Sequence, residues 1–161
     1  MDPQLSPITP MIGSLLRLPH EAVVASLQEA LKDRGVLLTP TELGVFLFPG
    51  PQGLRPIDLA HRRGMTRQAM NYVLSGLERR GFIERAGGRS PGATRIRLTG
   101  KGWEVVAILR ARLAEVEAGW RGHLGATRFD VLKETLRELA IWLGKLPGTT
   151  PQGPSGRPGP G

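Results

Sequence analysis

The sequence predicts a mainly α fold carrying one small β-hairpin, and three observations lead there. Apolar residues recur at three- and four-residue spacing in six separate segments. Helix start and stop signals bracket those segments. The period shifts to two in one place, between Phe82 and Leu98, on either side of a glycine-rich loop.

Residues 1–13 are Pro-rich and almost uncharged, and are expected to be poorly ordered. A helix over 19–34 follows, with Val23, Val24, Leu27 and Leu31 on one face and Gly35 as its stop. Thr39-Pro40-Thr41-Glu42 supplies an N-cap, a proline at the first helical position and an acid at the third. The short helix it opens, through Leu43, Phe46 and Leu47, must end before the Pro49–Gly53 run. Pro56 and Asp58 open another short helix, which closes at Arg62-Arg63-Gly64-Met65. Thr66 then caps a longer helix reaching Arg80, with Met70, Val73, Leu74 and Leu77 as its narrow apolar stripe.

After Gly81, Phe82–Arg85 and Thr94–Leu98 read as two strands, the second alternating strictly between polar and apolar. Thr99 caps a long helix with Val106, Leu109, Leu113, Val116, Trp120 and Leu124 at apolar positions, broken by Gly125. Thr127 and Asp130 have capping-box spacing for a last helix carrying Phe129, Leu132, Leu136, Leu139 and Leu143. Residues 147–161 have the composition of a disordered tail.

Charge narrows the function. Eleven of the 22 Lys/Arg but only three of the 14 Asp/Glu fall between Arg55 and Lys101. That stretch therefore carries +8, the whole formal excess of the chain. A surface made basic only for solubility would spread it out. There are no cysteines, which removes disulfides, thiolate metal sites and thiol redox chemistry. His20, His61 and His123 have no partner at ligand spacing, so no metal site is expected. No nucleophile, acid–base pair or phosphate loop can be assembled, so neither an enzyme nor a cofactor is expected. Trp103, Trp120 and Trp142 fall on the long C-terminal helices, where core and interface packing accounts for them better than a ligand pocket. No apolar run approaches the roughly 18–20 residues of a membrane span, and Met1–Pro10 does not read as a secretory signal. A cytoplasmic location follows as the expectation.

Two helices joined at Gly64 and followed by a hairpin with a basic tip make a winged helix-turn-helix. In such a module the second helix enters the major groove of duplex DNA. With Met70, Val73, Leu74 and Leu77 turned inward, Arg67, Gln68, Ala69, Asn71 and Tyr72 face out. Arginine can donate twice to guanine, and Gln and Asn can pair with adenine. Ala69 can touch a thymine methyl, while the Tyr72 hydroxyl suits a phosphate. Thr66, as N-cap, leaves free amides near the DNA backbone. Arg89 at the loop tip suits a narrow minor groove, and Arg95 and Arg97 suit phosphates.

This order of elements, with long helices on both sides, resembles the MarR family of transcriptional regulators. The residues carrying the resemblance are Leu38-Thr39-Pro40, the run Met65–Val73, the strand entry Leu77–Arg85 and the post-wing stretch Arg97-Leu98-Thr99-Gly100-Lys101-Gly102. It extends from about Leu15 to Leu143. It implies one domain over 14–146, with a DNA-binding core at 39–101 and dimerisation helices at 19–34 and 103–143. It also implies a homodimer on a pseudo-palindromic operator, tuned by a small aromatic or anionic effector. Two departures are visible, one in the Pro/Gly-rich Pro49–Gly53 connection, which could shift how the DNA-binding core meets the dimer helices, and one in the wing. The family's wing pairs an Asp with a basic residue, whereas Gly88-Arg89-Ser90-Pro91-Gly92 has the Arg and no Asp. Two other functions fit the charge pattern: a sequence-tolerant architectural DNA binder, and a protein-interaction module for an acidic partner.

Overall fold

The computed structural model describes residues 9–47, 50–87 and 92–146. Among these described residues six helices and one hairpin follow in chain order: α1 (Ile12–Lys32), α2 (Pro40–Phe46), α3 (Pro56–Arg62), α4 (Arg67–Arg79), β1 (Ile83–Ala86), β2 (Arg95–Leu98), α5 (Gly100–Leu124) and α6 (Ala126–Trp142). No helix among the described residues is long and apolar enough to cross a membrane. Contacts divide the chain into two compact units, Met1–Gly119 and Trp120–Gly161.

The first unit holds one core. Leu27 and Leu31 of α1, Leu43 and Phe46 of α2, Leu59 of α3, Met70, Leu74 and Leu77 of α4, and Val105 and Leu109 of α5 are buried together. Phe82, Ile83, Ile96 and Leu98 add the inner face of the hairpin. The stripe expected on α4 is thus the side that packs, with Val73 partly buried at its margin. Each fully buried leucine contributes about 1.5–3 kcal/mol through removal of its apolar surface from water.

Local signals set the helix ends. At α2, the Thr39 hydroxyl accepts from the Glu42 amide, and the Glu42 carboxylate accepts from the Thr39 amide, a closed capping box with Pro40 in the first turn. At α4, the Thr66 hydroxyl accepts from the Ala69 amide at 3.1 Å. Between α3 and α4 the chain reverses at Gly64, whose φ of +63° costs a residue without a Cβ little. Replacing Thr66 by alanine should cost about 1 kcal/mol of unfolding free energy, measurable by urea titration, because one end amide loses its acceptor.

The hairpin pairs antiparallel, Ile83 opposite Leu98 and Ala86 opposite Arg95. Strict alternation in β2 buries Ile96 and Leu98 and exposes Arg95 and Arg97. The outer edge of β2 is not left open. Gly53 donates to the Ile96 carbonyl at 2.7 Å, Ile96 donates to the Leu54 carbonyl at 2.9 Å, and the Gln52 side chain accepts from the Leu98 amide. Residues 52–54 of the connection after α2 therefore cover that edge by hydrogen bonding without adding a strand to the two-stranded sheet.

Two expectations change. Helix α1 begins at Ile12 and contains Pro19, where the sequence reading placed its start. Proline suits a first turn, but it can also stand within a helix when one lost backbone donor is tolerated. Ile12, Leu15 and Leu16 continue the stripe of Val23, Val24 and Leu27 through it. In the second unit, α6 starts at Ala126 after Gly125, whose φ is +82°, and no side chain caps it. The Thr127–Asp130 capping box does not form, because the Asp130 carboxylate accepts two hydrogen bonds from Arg121 instead. Phe129 is the buried side chain of α6, while Val131, Leu132, Leu136, Leu139 and Trp142 are exposed. Residues 1–8 and 147–161, the bulk of the expected N-terminal and C-terminal tails, lie outside the described residues.

Candidate nucleic-acid interface

The face of α4 opposite the core carries the polar residues. Thr66, Arg67, Gln68 and Ala69 are exposed, and Tyr72 is 80% exposed, unusual for a side chain of that size. Asn71 is half-buried, one turn above Arg67. Arg95 and Arg97 project from the outer face of β2. Arg95 bends back to donate to the carbonyls of Gly92 and Thr94 at 2.7 and 3.3 Å. Arg89 lies outside the described residues.

Between α4, the start of α3 and the hairpin runs a polar cleft of about 590 Å³. Arg67, Asn71 and Ser75 form one wall at a spacing of four residues, and Arg55, Arg85 and Thr94 close the others. Of these, the sequence reading singled out Arg67 and Asn71 only. Two of the others had a signal: Ser75 continues the row of Arg67 and Asn71, and Arg55 stands three residues before Asp58 at a helix start.

The cations in the cleft differ in freedom. Arg85 is a brace: it donates to the Glu78 carboxylate at 3.0 Å, the Ser75 hydroxyl at 3.2 Å and the Asn71 carbonyl at 3.4 Å. It thereby fastens β1 to the outer side of α4. Arg55 forms a two-pronged pair with Asp58, at 2.6 and 2.8 Å. The hydrogen bonds from Arg55 hold the Asp58 carboxyl below the ordinary aspartate range, with smaller help from the positive charges of Arg55 itself, Arg62 and Arg95. A carboxyl lowered in this way is ionised at neutral pH, and the pair opens only as pH falls through that lowered value. Arg62 is exposed. Arg63 is not a surface cation of the same kind. Its guanidinium lies against Gly44 of α2, where a Cβ would collide with it, and burial lowers its pKa from the usual arginine value.

A second cavity, of about 270 Å³, lies between α2, the following connection and α5. Phe46, Leu47, Leu98, Trp103 and Leu109 give it apolar walls, and Arg110 gives it one cation. Trp103, expected to serve in packing, is 45% exposed at its margin. Among the described residues no cluster of His, Cys, Asp and Glu could hold a metal ion.

No family model and no curated protein matches the chain. Solved structures do. A MarR family transcriptional regulator from Rhodococcus sp. RHA1 aligns over 85% of this chain and 95% of its own, with a TM-score of 0.63 and 20% identity. MepR of S. aureus in complex with DNA aligns over 84% and 99%, with a TM-score of 0.64 and 20% identity. A Mycobacterium tuberculosis MarR family protein in complex with p-aminosalicylic acid aligns over 81% and 99%, with a TM-score of 0.57 and 28% identity. The chain thus has the winged helix-turn-helix fold of the MarR family of transcriptional regulators, the family its sequence motifs resemble.

Proposed function

We propose that the protein is a homodimeric regulator of transcription, a repressor without catalytic activity, that binds a specific double-stranded DNA site and is tuned by a small effector. The observation that carries this reading is the face of α4. Arg67, Gln68 and Ala69 stand free of the core at the capped end of a helix, beside a hairpin whose exposed side carries Arg95 and Arg97. In this reading Arg67, Gln68, Ala69 and Asn71 meet base edges, while Thr66, Tyr72, Arg95 and Arg97 hold the backbone. Arg89 belongs to the same proposal as a minor-groove contact. The likeness to a structure solved with DNA supports it.

The dimer is part of the proposal. Exposed Ile12, Leu15, Leu16 and Leu18 on α1, and exposed Leu132, Leu136 and Leu139 on α6, are apolar faces that a second copy would cover. Two-fold symmetry would then present two α4 helices to successive major grooves, roughly 34 Å apart. Light scattering on the eluting protein should return twice the 17.5 kDa chain mass; a monomer at micromolar concentration rules this out.

The cavity beside Trp103 and Arg110 suits an effector with an aromatic ring and one negative charge. Phe46, one of its walls, meets Phe82 edge to face at 6.2 Å, next to the C-terminal end of α4. The M. tuberculosis relative solved with p-aminosalicylic acid favours the same class.

Fluorescence anisotropy with duplexes flanking the coding region, against random duplex over a range of salt, tests the reading. Tight, sequence-preferring binding is expected, with a log–log salt slope of about −0.9 per phosphate neutralised. Equal affinity for every duplex would instead make the protein an architectural binder.

A further inference from the structure

The C-terminal end of α4 is fastened at one point to two other helices. Arg80, the C-cap residue, donates to the Glu42 carboxylate of α2 at 2.9 Å and to the Leu37 carbonyl before α2. Its own carbonyl accepts from Lys101, in the first turn of α5, at 2.9 Å. Both cations rest on the ring of Phe82, Arg80 at 5.0 Å and Lys101 at 4.4 Å. Glu42 is the one carboxylate bonded to this cluster in the described structure, and its side chain is only 15% exposed. The Arg80 side chain is 39% exposed, so the pair is shielded on the Glu42 side only, but the further contacts of Arg80 with Leu37 and Phe82 give it a more definite geometry than a lone surface pair.

We infer that Arg80 is a positioning residue, and that its pair with Glu42 sets the angle at which α4 is presented to DNA. The inference rests on the DNA-binding reading above. The physical argument is one of balance. Two cations share one aromatic ring, and the Glu42 carboxylate offsets their mutual repulsion. Without that charge, Arg80 leaves Leu37 and Glu42, and the end of α4 loses its tie to α2. The buried stripe of Met70, Leu74 and Leu77 still holds the helix in the core, so the domain stays folded while its outer face tilts.

The sign of the effect makes a sharp test. Removing an acid from a DNA-binding protein ordinarily tightens binding, because a charge that repels phosphate is gone. Glu42→Gln should do the opposite. Glutamine keeps the capping box, so α2 is not lost. We expect the full-length variant to bind a duplex selected by the unaltered protein about five- to tenfold more weakly. Its affinity for random duplex should hold or rise slightly, its salt slope should hold, and its melting temperature should fall by no more than a few degrees. Arg80→Met should lose the same factor, and the double variant should be no worse than either single one, since both remove one interaction. If Arg80→Met does not fold, Arg80→Lys replaces it: lysine keeps the charge but cannot span Glu42 and Leu37 together. Equal or tighter binding by Glu42→Gln overturns the inference, as does a salt slope reduced by about one in the Arg80 variant, which would mark a phosphate contact. If the unaltered protein showed no sequence preference, the regulator reading would fail. Hydrogen exchange then decides the clamp alone: Glu42→Gln should speed exchange at residues 78–82, and unchanged rates there overturn it.

Discussion

Arg67→Ala should abolish most of the discrimination between the preferred site and random duplex while leaving the fold untouched. Arg67 is the first residue of α4, exposed, and stands one turn from Asn71 on the wall of the polar cleft. No salt bridge ties it to another described residue, unlike Arg55, Arg80 and Arg85. A guanidinium held at the start of a helix in the major groove can donate twice to one guanine, worth about 1–3 kcal/mol against the wrong base. The loss should therefore appear as roughly a five- to 150-fold fall in site affinity, with a much smaller fall on random duplex. Anisotropy titrations on both duplexes give the ratio. A uniform fall on both, with a shallower salt slope, would make Arg67 a phosphate contact and move base reading to Gln68 and Asn71.

The second large effect concerns stability. Gly102 lies in the first turn of α5 and is buried. A Cβ at that position would run into the Phe82 carbonyl oxygen and press on the Leu98 side chain. The obstacle is backbone, which cannot rotate aside. The same carbonyl accepts from the Thr99 amide at 3.2 Å, and the Thr99 hydroxyl donates to the Gly81 carbonyl at 2.6 Å. Gly102→Ala must push α5 away from the strand entry and strain both bonds. Overpacking of this kind costs about 1–3 kcal/mol, and a backbone obstacle places it at the upper end. For a chain of this size that lowers the melting temperature by several degrees, measurable by circular dichroism. Gly100→Ala is the control, because a Cβ there meets nothing within 4 Å. An unchanged melt for Gly102→Ala would mean that α5 and the strand entry are not in close register.

Helix α4 was legible in the residues because its signals are local. A Thr cap, a glycine turn and a stripe at helical spacing all act within a few residues, and together they determine which side of α4 is buried. The alternation of Arg95-Ile96-Arg97-Leu98 settled the hairpin face for the same reason. Where two local signals competed, the sequence could not rank them. Pro19 was equally suited to a first turn or to an interruption, and Thr127–Asp130 had capping spacing, but Arg121 claimed the carboxylate.

The order of elements, the inward faces of α4 and of the hairpin, and the concentration of positive charge from Arg55 to Lys101 could be read from the residues alone. The tertiary structure alone decided which of those cations are available. Arg85 is committed to Glu78 and Ser75, Arg80 to Glu42, Arg55 to Asp58 and Arg63 to the surface of α2, whereas Arg67 has no salt bridge to another described residue. The partners lie three to 38 positions away in the chain. Helix periodicity cannot announce the distant ones, because they depend on how separate elements pack and not on how any one of them forms.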